Sequence, residues 1–108
     1  MYLQIYIRSS DYFLANNWNT CTGALLVHLL CNTHGINLTP GKLTVIMGDV
    51  HLYTNQLDTI NSCLHRIPKP FPKLVVHSQQ KDITKFTFED ISLIGYEPDP
   101  KVKVDMVV

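Results

Sequence analysis

A chain of 108 residues is long enough for one domain with a modest core and too short for two. Hydrophobic residues make up 45%, which excludes a disordered segment. Nine Lys/Arg offset nine Asp/Glu, so no overall field draws the chain to nucleic acid or to an anionic membrane, and any anion must be held by a local cluster.

The three cysteines, Cys21, Cys31 and Cys63, are odd in number and lack CxxC spacing. They point to reduced thiols in a cytoplasmic setting, with no disulfide and no metal site expected. Met1 to Ile7 lacks the charged and apolar regions of a signal peptide. No apolar run approaches the ~18 residues that cross a bilayer.

Tyr2 to Ile7 alternates as a half-buried strand, with Leu3, Ile5 and Ile7 on one face. The polar stretch that follows, Arg8 to Asn19, carries an arginine, two serines, an aspartate and three asparagines. A guanidinium with hydroxyl donors suits a phosphate, and the Asn19 amide offers a donor beside an acceptor to the edge of a planar base. A surface loop with a salt bridge is the plainer reading.

Asn19 or Thr20 is placed to cap the next helix, and Gly35 to end it. From Ala24 to Cys31 apolar residues occur on every side, which predicts a helix buried all round, with His28 a packed histidine and Cys21 and Cys31 small core side chains. Pro40-Gly41 marks a turn. Leu43 to Tyr53 reads as a second strand, within which Gly48 signals a bulge or a close backbone approach.

Asp49, His51 and Tyr53 fall on one face of that strand, where an imidazole and a phenol can hold a sugar hydroxyl or simply pack across strands. Leu57, Ile60 and Leu64 recur at helical spacing, predicting a short amphipathic helix over Asn55 to His65. Pro68, Pro70 and Pro72 impose an extended connector. A third strand is expected over Lys73 to His77, and the apolar ending Met106-Val107-Val108 is expected to dock.

Several of these stretches together resemble the thymidylate synthase family. They are Arg8-Ser9-x-Asp11-x-Phe13-Leu14 with the Trp18-Asn19 pair, Gly48-Asp49-Val50-His51-Leu52-Tyr53, Pro68 to Leu74, Phe88-Glu89-Asp90, Gly95-Tyr96 and Lys103 to Val108. The resemblance runs in order over the whole chain and concerns the C-terminal portion of the family's domain.

It implies an α+β fold, a mixed β-sheet packed against the long buried helix, in a methyltransferase that converts dUMP to dTMP with 5,10-methylenetetrahydrofolate as co-substrate. It implies that Arg8 and Ser9 bind the nucleotide phosphate, and that Asn19 reads the uracil edge. Asp11 would meet the pyrimidine through its backbone and the folate through its carboxylate. His51 and Tyr53 would hold the deoxyribose 3′-hydroxyl, and Val108 would close over the folate. Partners implied are a second subunit of a homodimer or the N-terminal part of the enzyme.

Ala15, Asn16, Asn17 and Gln56 depart from the family's usual residues; the first three lie in the loop near folate. The family's nucleophile belongs to a Pro-Cys-His motif upstream of this region, and none of Cys21, Cys31 and Cys63 follows a proline. No catalytic residue is therefore assigned within the chain. Two alternatives stand beside the synthase: a non-catalytic nucleotide-binding or structural remnant, and a deoxycytidylate hydroxymethylase, for which an acid is expected in place of Asn19.

Overall fold

The computed structural model describes residues 1–36 and 38–105. Strand β1 (Leu3–Asp11) leads into helix α1 (Ala15–Cys31) and then strand β2 (Leu43–His51). β1 and β2 pair in parallel with Leu3 opposite Leu43 and Asp11 opposite His51. The offset between partners stays constant through Gly48, so the glycine marks a close approach and no bulge. A Cβ there would lie 2.8 Å from the Arg8 carbonyl oxygen.

The expected alternation holds in β1. Leu3, Ile5 and Ile7 are half-buried, while Gln4, Tyr6 and Arg8 are exposed. Over them lies α1, whose buried positions Gly23, Val27 and Cys31 recur every four residues and so form one stripe. Gly23 lets the helix sit close, since a Cβ would meet Ile5 Cδ1 and Leu43 Cδ2 at 3.2 Å each.

The remaining faces of α1 stay open. Trp18 is 76% exposed and Leu26 37%. The expectation of a helix buried all round is thus corrected: a two-stranded sheet covers one side only. Asn19 and Thr20 lie inside the helix and do not cap it, because α1 begins four residues earlier. Its C-terminal carbonyls are satisfied by Asn32 Nδ2 on His28 O (2.9 Å) and Thr33 Oγ1 on Leu29 O (3.1 Å). Gly35 follows at φ 85°, as placed from sequence.

After β2, a 3-10 turn (Thr54–Gln56) runs into helix α2 (Leu57–Cys63), shorter than its periodicity predicts. Leu57 is 45% and Leu64 73% exposed, so its apolar stripe meets little among the described residues. The proline connector leads to β3 (Lys73–Val76), which pairs antiparallel with β4 (Ile91–Ile94). In place of one mixed sheet there are two separate pairs, one parallel and one antiparallel. Among the described residues no helix is long and apolar enough to cross a membrane.

Candidate functional site

Where β1 hands over to α1, the Asp11 carboxylate does the work of a cap. Its Oδ1 accepts from the backbone N–H groups of Phe13 and Leu14, both at 3.1 Å. These bonds turn the chain and start α1, whose flanking Leu14 has no side chain able to do so. Oδ2 accepts from Nε2 of Gln56 at 3.1 Å.

Register then brings the second strand alongside. Asp11 faces His51, and the Tyr12 N–H donates to the His51 carbonyl at 3.0 Å. The His51 ring meets Tyr53 edge-on, with centroids 5.2 Å apart and planes at 82°. Asp49 Oδ1 stands 3.8 Å from His51 Nδ1, too far for a hydrogen bond. The one-face grouping of Asp49, His51 and Tyr53 read from the sequence is present as an imidazole flanked by a phenol and a carboxylate.

Two hollows open along α1. One, of about 490 Å³, is walled by Asp11, Leu14, Ala15, Trp18, Tyr53 and the segment Lys101 to Val104. The other, of about 440 Å³ and shallower, contains Arg8 and Asn19 with Tyr6, Thr22 and Leu26. Of the residues singled out in the sequence, Arg8 and Asn19 share one hollow, and Asp11 and Tyr53 share the other. Ser9 is exposed, and His51 reaches the site through Tyr53. Consecutive residues of α1, Trp18 and Asn19, belong one to each hollow. Val108 lies outside the described residues.

Arg8 forms no ion pair among the described residues, leaving its charge to solvent or to a ligand. The larger hollow combines aliphatic, indole and phenol walls with one carboxylate, Asp11, and two lysines, Lys101 and Lys103. Such a lining offers an acceptor to N–H donors and flat apolar walls to a ring. The thiols offer no nucleophile arrangement. Cys31 is buried as expected, Cys63 half-buried, and Cys21 exposed in contrast to the core position read for it.

The burial of two participants was not legible from their neighbours in the chain. Gln56 is 0% exposed, although it lies at the polar start of a helix, and nothing in its neighbourhood foretells burial against Asp11. Ser10, at 1% exposure, is the buried member of the serine pair, and its Oγ finds no hydrogen-bond partner among the described residues.

A sequence profile of the family described as thymidylate synthase matches residues 1–108. This chain belongs to the thymidylate synthase family. It is 40% identical over 106 residues to the thymidylate synthase of Pseudomonas fluorescens (strain SBW25). That match takes in 98% of this chain and 38% of the relative, so the chain spans well under half of the protein it resembles.

Proposed function

We propose that this chain supplies the nucleotide cradle and folate wall of a thymidylate synthase, which methylates dUMP to dTMP with 5,10-methylenetetrahydrofolate. The observation that carries the reading is the pairing of Asp11 with His51 on adjacent parallel strands. It sets Arg8 three residues before one member and Tyr53 two residues after the other. In this reading the Arg8 guanidinium and Ser9 hydroxyl hold the phosphate, as fork-shaped and hydroxyl donors do.

Asn19 answers the carbonyl and N–H of the uracil edge with its own N–H and carbonyl. A base that reversed this pattern would leave buried groups unpaired, which is why an amide selects strongly. His51 and Tyr53 bond the 3′-hydroxyl. The folate supplies the one-carbon unit and the hydride, while Asp11, Leu14, Trp18 and the 101–104 segment hold its ring and exclude water. Val108 is assigned to the closing tail. The thiolate that attacks the base, and a partner subunit in a homodimer, belong to the rest of the enzyme.

The second reading is a nucleotide-binding remnant without chemistry. A chimera separates the two. The matched part of the Pseudomonas fluorescens relative is replaced by this chain, and tritium release from 5-tritiated dUMP is followed. The synthase reading expects turnover; a folded chimera that binds dUMP without turnover supports the remnant. A folded chimera that does not bind dUMP removes both.

A further inference from the structure

Gln56 is fully buried at the end of a 3-10 turn, and its two ends reach different parts of the site. Its backbone N–H donates to the Tyr53 carbonyl at 3.0 Å. Its side-chain Nε2 donates to Asp11 Oδ2 at 3.1 Å. With Oδ1 already bonded to the Phe13 and Leu14 N–H groups, Gln56 completes the grip on both oxygens of that carboxylate. A carboxylate held on both oxygens cannot turn about its terminal torsion, which is otherwise broad.

We propose that Gln56 is a positioning residue, whose carboxamide fixes the Asp11 carboxylate against the Trp18 hollow and couples it to the Tyr53 end of the site. The inference deepens the reading of Asp11 and Tyr53 as ligand contacts and rests on it. A neutral donor suits this task. It orients the carboxylate without cancelling its charge, and Oδ2, which accepts from Gln56 alone, keeps a lone pair for an N–H donor in the hollow. A glutamate at 56 would set a second acceptor against the first. The Gln56 Oε1, buried and without a partner among the described residues, is a further acceptor at the same place.

The test uses the whole 108-residue chain and amide hydrogen exchange by NMR. In the wild type the Gln56 side-chain amide protons are expected to exchange slowly with solvent. In Gln56→Met, which keeps length and loses the donor, exchange at Phe13 and Leu14 is expected to rise by about tenfold or more, the worth of a hydrogen bond to a charged group. Exchange at Val27, on the buried stripe of α1, is expected to stay unchanged. Gln56→His, whose imidazole N–H can donate, is expected to restore slow exchange.

Affinities for dUMP and tetrahydrofolate, read by calorimetry, are expected to fall in Gln56→Met and recover in Gln56→His. Gln56 side-chain protons that exchange with solvent in the wild type as fast as those of an exposed glutamine overturn the proposal even if no variant folds. So does a Gln56→Met chain that keeps wild-type exchange at Phe13 and Leu14, or one that loses protection at Val27 to the same degree. A wild-type chain with the expected exchange pattern that binds neither compound sinks the reading of the site and leaves the grip on Asp11 standing.

Discussion

At Gly48 the absence of a side chain decides how closely two strands approach. A Cβ there would stand 2.8 Å from the Arg8 carbonyl oxygen, a backbone atom that cannot swing aside. Gly48→Ala is therefore expected to lower stability by about 1–3 kcal/mol, as overpacking does, with the loss read from the urea midpoint. Because the displaced backbone carries Arg8, phosphate affinity should weaken with it; an unchanged midpoint would contradict the close approach. Asn19 invites a different change. In the chimeric enzyme, Asn19→Asp replaces a donor that uracil needs with an acceptor, or, when protonated, with the hydroxyl that cytosine accepts. Preference is expected to move from dUMP toward dCMP. Equal relative affinities on titrating both nucleotides would remove Asn19 from the base edge.

Among the elements, the β3–β4 pair carries the clearest electrostatic signature. Asp90 closes it: Ser78 Oγ donates to Oδ1 at 2.6 Å, and the Thr87 N–H to Oδ2 at 2.7 Å. The Ser78 bond first, and the Thr87 backbone bond after it, hold the Asp90 carboxyl below its ordinary range. A carboxyl with a lowered value in the folded chain stabilises it fully above the unfolded value, near 4, and ceases to as pH falls through the folded value. The melting temperature is expected to drop as pH falls below about 4, and Asp90→Asn to flatten that drop. A variant with the wild-type slope would locate the acid sensitivity elsewhere.

The same scale shows what a sequence can carry. The alternation of Leu3, Ile5 and Ile7 depends on one neighbouring layer, and it was legible. So were the grouping of His51 with Tyr53 and the close approach at Gly48. The environment of α1 was not, because an all-round apolar sequence records what could cover a helix, and only one stripe meets β1 and β2 here. The start of α1 was missed for a local reason. Asp11, an aspartate inside a strand, caps the helix from three residues upstream of its flanking Leu14. Gln56 was illegible because its burial depends on Asp11, 45 residues away.

For the molecule as a whole, coverage and chemistry point the same way. The radius of gyration is 16.3 Å, against about 13 Å for a compact domain of this length. Large apolar side chains stand open, among them Ile67 at 84%, Phe88 at 89% and Phe71 at 99%. Such surface is expected to bind the dye ANS strongly in the isolated chain, and weak binding would contradict the exposure.

Turnover asks for more than a cradle. A thiolate nucleophile needs a positive field or a base beside it. Cys31 is buried at the last position of α1, Cys63 sits in α2 and Cys21 on an exposed turn of α1, and none lines either hollow. The purified 108-residue chain is accordingly expected to release no tritium from 5-tritiated dUMP in the presence of methylenetetrahydrofolate, even where calorimetry detects the nucleotide. Release above the rate of a Cys21→Ser, Cys31→Ser, Cys63→Ser triple variant would mean that one of these thiols reaches the base, and would overturn the assignment of the nucleophile to the rest of the enzyme.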